Sequence, residues 1–166
     1  MKPFGKYITA LALLLLPVLG LAAEDWKGAP YKNELDISAE GGLGILDGTA
    51  GFEMRGSIAK KILDRGFLSD INDQLYIEAQ PGILLVAGSS AFTYSVHLRW
   101  DFHKNEEWTL FALGGFGGDI TGATLGDRFE FFPRFGIGAR WDAFERISFR
   151  AELSHEFSGV GIMFLI

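Results

Sequence analysis

A chain of 166 residues is long enough for one domain with a sizeable core and too short for two. Its 48% hydrophobic and 22% charged residues, with 15 Phe, 4 Trp and 4 Tyr, exclude disorder, and its 22 glycines follow no collagen period. A net charge of −6 argues against a nucleic-acid partner, and the absence of cysteine excludes disulfides, thiolate metal sites and cysteine nucleophiles.

Lys2 and Lys6 precede the apolar run Ile8–Leu19, and the small residues Gly20 and Ala22 follow it. A basic start, a short apolar core and a small-x-small site read as a secretory signal peptide, 1–22, cleaved after Ala22. The run is shorter than the roughly 20 apolar residues of a membrane-spanning helix. Losing the two leader lysines takes the net charge from −6 to −8.

The rest of the chain, 23–166, alternates with a period of two, the mark of strands with two different faces. Leu35, Ile37, Ala39, Leu43 and Ile45 alternate with Glu34, Asp36, Ser38, Glu40 and Gly44. Weaker alternation runs through 50–59 and 75–87. In 91–103, Phe92, Tyr94, Val96, Leu98, Trp100 and Phe102 alternate with Thr93, Ser95, His97, Arg99, Asp101 and His103. Segment 108–118 reads both ways, since Phe111 and Leu113 fall opposite Trp108, Leu110 and Phe116. Segment 129–142 sets Phe129, Phe131, Pro133, Phe135, Ile137 and Trp141 against Glu130, Arg134, Gly136, Gly138 and Arg140. Ile147, Phe149, Ala151 and Leu153 alternate with Ser148, Arg150, Glu152 and Ser154, and 159–166 closes the series. Turn residues separate these eight strands. Two connections are longer: 60–74, read as holding a short amphipathic helical turn, and 119–128, the one surface loop long enough to present a ligand-binding feature.

An eight-stranded barrel has an interior just wide enough for side chains to fill. The face rich in Phe and Trp would overfill it, whereas the other face combines glycine with extended charged residues. The bulky face is therefore expected outside, in lipid, and the charges inside. Trp100, Phe102, Trp108 and Trp141 then gather at the periplasmic ends. Phe92, Tyr94, Phe116, Phe129, Phe131 and Phe157 gather at the opposite ends, giving the two aromatic girdles of a membrane barrel. The fold class expected is all-β, an eight-stranded antiparallel up-and-down transmembrane β-barrel; the alternative is a secreted soluble barrel of lipocalin type.

In this pattern the chain resembles the small eight-stranded outer-membrane barrels of Gram-negative bacteria, the outer-membrane protein A-like and X-like group. The final strand, Val160, Ile162, Phe164 and Ile166, looks like that group's C-terminal assembly signal, although it ends in Ile166 instead of an aromatic residue. The resemblance implies a bacterial outer-membrane location, with outer-membrane lipids, lipopolysaccharide and the assembly machinery as partners.

The inward set holds Glu40, Glu53, Glu78, Glu130 and Glu152 against Arg55, Arg99, Arg134, Arg140 and Arg150. Five against five predicts a salt-bridged plug, not a water-filled pore, since buried charges persist when paired. His97 and His103 stand six residues apart on one strand, roughly 20 Å, too far to share a metal. No metal or cofactor is expected. Phe129–Ser158, with Phe135-Gly136-Ile137-Gly138 and Phe149-Arg150-Ala151, looks like the corresponding region of outer-membrane lipid A deacylases, which use a Ser-His-Glu triad. That resemblance makes His155, Ser158, Ser154 and Glu156 the candidate catalytic residues. The family pattern is His-x-Ser-Asn with a Glu about a dozen residues later; here Phe157 stands two after His155, and no acid follows Ser158. Alternation turns Ser154 and Glu156 away from His155. The reading adopted is a non-enzymatic, monomeric barrel with a structural, envelope or surface-interaction role.

Overall fold

Every alternating segment forms a strand. The structure is a computed structural model that describes residues 33–46, 48–68, 71–87, 89–121 and 128–166, and the expected signal peptide lies outside them. The strands are β1 Leu35–Leu46, β2 Thr49–Leu63, β3 Asp73–Val86, β4 Ser89–His103, β5 Trp108–Thr121, β6 Arg128–Phe144, β7 Ile147–Ser154 and β8 Phe157–Leu165. Each pairs antiparallel with its sequence neighbour, and β8 pairs with β1, so the sheet closes into an eight-stranded barrel.

Closure gives every strand one face to the lumen and one to the surroundings. Leu43, Phe135 and Val160, at 63–67% exposure, typify the outer wall. Arg99, Arg134, Arg140 and Arg150, each 1% exposed, typify the interior. This is the inverse of a soluble barrel, whose apolar side chains fill the inside. An outer wall of Leu, Ile, Val and Phe needs an apolar solvent, so the barrel is a transmembrane one.

Four local features depart from the alternation as read. Phe111 and Leu113 on β5 turn inward and are buried. The lumen admits Phe111 because Gly138 stands opposite it in register, and a Cβ there would strike the Phe111 ring. Phe157 is not an interface aromatic: it is 2% exposed inside the barrel, in step with the inward Gly159, Gly161 and Met163 of β8. The connection after β2 holds no helix among the described residues, because β2 continues to Leu63 with Lys61 inward. Asp73 then organises the bend, its Oδ2 accepting from the Phe67 amide at 2.9 Å and from Trp100 Nε1 at 2.7 Å. The expected surface loop is also shorter: β5 runs to Thr121, which makes Asp119 a buried residue, and 122–127 lie outside the described residues.

The outer rim is uneven. β6 pairs with β5 from Arg128 onward but with β7 only from Gly136. Residues 128–135 therefore rise past the end of β7, and Pro133, which has no N–H, sits within this one-sided stretch. β7 and β8 have 8 and 9 residues against 17 in β6, so their hairpin forms a step in the rim.

Candidate functional site: the charged lumen

Arginine is suited to a buried polar column because its planar fork serves several carboxylates at once. At the centre, Arg99 donates from Nε to Asp101 at 2.8 Å, from Nη1 to Glu78 at 2.9 Å, and from Nη2 to Asp36. Arg150 takes the other Glu78 oxygen at 2.6 Å and Glu152 at 2.6 Å, with Glu40 3.3 Å from its Nε. Towards the end that carries the β4–β5 and β6–β7 turns Arg140 lies 2.9 Å from Asp142 and 3.4 Å from Asp101. Towards the outer end Arg134 pairs with Glu152 and with Glu156, the latter at 2.7 Å, and donates to the Ser95 hydroxyl. Arg55 meets Glu53 at 2.6 Å. The pairs are linked through shared carboxylates, so the column is one network.

Aromatic faces complete it. Arg55 lies over Phe157 at 4.2 Å, Arg99 over Tyr76 at 4.3 Å and Arg150 over Phe111 at 4.7 Å. Each ring gives a desolvated guanidinium a favourable contact on a side no carboxylate reaches.

Nine of the ten charged residues expected inside are buried there, and Glu130 is half-buried at the outer end, its carbonyl accepting from the Tyr94 hydroxyl at 3.3 Å. The five-against-five balance is not the one found. Asp36, Asp101, Asp142 and Glu156 also join the arginines, so acids outnumber them in the network. Their inward parity could be read in the sequence; their pairing depends on barrel register.

Of the expected interface aromatics, Phe92, Trp108, Phe116, Phe131 and Trp141 are exposed on the outer wall, and Tyr94 and Trp100 are half-buried there. Trp108 and Trp141 stack at 6.2 Å near the end that carries the β4–β5 and β6–β7 turns, and Phe116 and Phe131 at 5.1 Å near the opposite end.

His97 and His103 are both buried in the lumen. His103 bonds Thr109 at 2.8 Å and Gln74 at 3.1 Å, while His97 Nε2 lies 3.9 Å from Glu78. Among the described residues no cluster of His, Asp and Glu is arranged to hold a metal. At the outer end a cavity of about 20 Å³, between Glu53, Arg55, Gln80, Arg134 and Glu156, has room for about one water.

The candidate catalytic residues separate. His155 and Glu156 do meet, Nδ1 to Oε2 at 2.9 Å, although alternation turned Glu156 away; the β7–β8 turn breaks the alternation there. The His155 ring packs edge-on against Phe132, 5.5 Å between centroids. Ser154 Oγ is engaged with the Phe157 backbone, accepting from its N–H at 3.2 Å. Ser158 is exposed on β8, in step with the lipid-facing Val160 and Ile162. Among the described residues no serine hydroxyl bonds to His155.

No protein-family model and no curated protein matches the chain. Among solved structures it is similar to the de novo designed protein TMB2.3, with a TM-score of 0.50 and 15% identity over 81% of this chain and 94% of that one. It is also similar to Ail, the attachment invasion locus protein of Yersinia pestis, with a TM-score of 0.47 and 14% identity over 78% of this chain and 91% of Ail. For Ail in a phospholipid bilayer nanodisc the TM-score is 0.44 at 17% identity. At such identities the likeness is one of fold. Fold and faces together define the class: a closed eight-stranded transmembrane β-barrel with a charged interior.

Proposed function

We propose that the chain is an integral protein of the bacterial outer membrane whose lumen is sealed, and that it serves the envelope as a structural barrel, not as a pore or an enzyme. The observation that carries this reading is the column of four arginines, each 1% exposed and each engaged by carboxylates. A sealed barrel cannot pass solutes, and the two-residue connection at 155–156 offers little surface to a receptor. Its partners on this reading are outer-membrane lipids, including lipopolysaccharide, along the wall, and the assembly machinery, to which β8 would present Val160, Ile162, Phe164 and Ile166.

Two measurements test it. The protein should sediment with outer membranes and resist carbonate extraction; recovery as a soluble periplasmic protein would overturn the location. Purified and inserted into planar bilayers it should leave conductance at baseline, and sustained large conductance would overturn the seal.

A further inference from the structure

The outer wall has a feature that a sealed lumen does not call for. At the periplasmic end, Ile37 of β1 and Phe164 and Ile166 on the β8 side enclose a cleft of about 500 Å³, with Arg146 at its rim. Ile37 and Phe164 are register partners and both face outward, so the cleft floor is the β8–β1 seam. Arg146 is exposed, and its guanidinium has no ion-pair or hydrogen-bond partner among the described residues. Its carbonyl accepts from the Leu165 amide at 3.1 Å, which fastens the β6–β7 turn beside the cleft.

The depth of this arginine is set by its neighbours. Trp141 and Phe149 stack at 5.7 Å on the same side of the barrel and are register partners. Aromatic girdles lie at the edge of the hydrocarbon. Arg146 stands three residues beyond Phe149, about 10 Å along an extended strand, which puts its charge among the lipid head groups.

Further up the same wall the surface is hollow again. A groove of about 960 Å³ runs round the wall from β5 to β1 over Ala112, Ala139, Ala151 and Gly41, flanked by Ile137, Leu153 and Val160. The register leads into it from the cleft: Ile37 pairs with Phe164, Ala39 with Ile162 and Gly41 with Val160. An unpaired cation at head-group depth thus stands below an apolar groove floored by small side chains, with the Ala39–Ile162 pair between the two.

We propose that this wall is a binding site for one phosphate-bearing glycerolipid, its phosphate on Arg146 and an acyl chain running past Ala39 into the hollow over Ala151 and Gly41. Charge complementarity selects the head group, and the small residues let a chain lie closer to the barrel than elsewhere on the wall. The site rests on the barrel being transmembrane and is independent of the lumen being sealed.

Native mass spectrometry of the full chain, released from detergent micelles containing phosphatidylglycerol, tests the site. One retained lipid per barrel is expected. Arg146→Gln should lower the retained fraction about fivefold, the effect of one interfacial cation on an anionic lipid. Lys104→Gln, a cation at the same end away from the cleft, should leave it unchanged. Gly41→Leu should also lower it, and it leaves the fold in place because a Cβ at Gly41 meets only the Phe52 ring, at an ordinary 3.5 Å. Diacylglycerol with the same chains, and inorganic phosphate alone, should not be retained. Retention by the Arg146 variant at the unmodified level, or equal retention of diacylglycerol, overturns the proposal. Folding of each variant is checked by its heat-dependent gel shift; a chain that is unfolded in every micelle refutes the membrane barrel instead.

Discussion

Arg134 shows what a single side chain does in this lumen. It joins Glu152, which also meets Arg150 at 2.6 Å, to Glu156, whose other arginine contact is Arg55 at 3.7 Å. Arg134→Ala leaves two carboxylates short of a partner, and breaking a buried pair in this way costs about 3–5 kcal/mol. Urea unfolding of the refolded barrel should show a loss of that size, or a new conductance if water fills the space instead. Phe157 makes the complementary point. Phe157→Ala removes a buried ring and the surface on which Arg55 rests, and should cost about 3–5 kcal/mol. Phe131→Ala, on the lipid-facing wall, should cost far less; equal losses would mean that the two rings occupy equivalent surroundings.

Phe157 also marks where alternation stops being readable. Strict alternation made β4 and β6 plain, with Phe, Leu and Trp on one parity and Arg, Ser and His on the other. A tight turn breaks the count, and Phe157 follows the two-residue turn 155–156. β5 was ambiguous for another reason: it carries apolar residues on both faces, and only the opposing Gly138 explains how Phe111 fits inside. The arginines and most of their acids could be placed inside from parity. Which acid meets which arginine could not, because Glu78, Arg99 and Arg150 come together only across the barrel interior. At the level of the strand, face assignment has a direct test. Leu98, outward on β4, pairs with Gly114 and lies between the two girdles. Leu98→Arg should cost about 2–4 kcal/mol of folding stability in lipid vesicles, the range for arginine near the bilayer midplane. Leu98→Phe should be tolerated. If both variants assemble alike, the wall does not face hydrocarbon. The short strands make a second expectation. β7 and β8 have the fewest residues, so their amides should exchange with solvent deuterium before those of β3 and β4.

On the scale of the whole barrel, the lumen and the wall are built by opposite rules. Inside, charges are crowded and paired, which ties β1, β2, β3, β4, β6 and β7 together through side chains that reach across the interior. Outside, the surface needs only to be apolar, and it varies from the aromatic β4–β6 side to the small-residue β7–β8–β1 side. The interior should therefore resist substitution position by position, while the wall accepts any apolar residue of modest size except along the Arg146 groove.

The step in the outer rim has a mechanical consequence. A bilayer is a sheet of nearly constant thickness, and a cylinder taller on one side cannot match it all round while standing upright. Either the lipids beside the β7–β8 hairpin shorten or the cylinder leans, and each relieves hydrophobic mismatch at a modest cost per ångström. In oriented bilayers the barrel axis should thus lie off the membrane normal, and polarised infrared spectroscopy would read the angle. Lengthening β7 and β8 by two residues each should bring the axis closer to upright. A tilt unaffected by that change would show that the membrane does not feel the step.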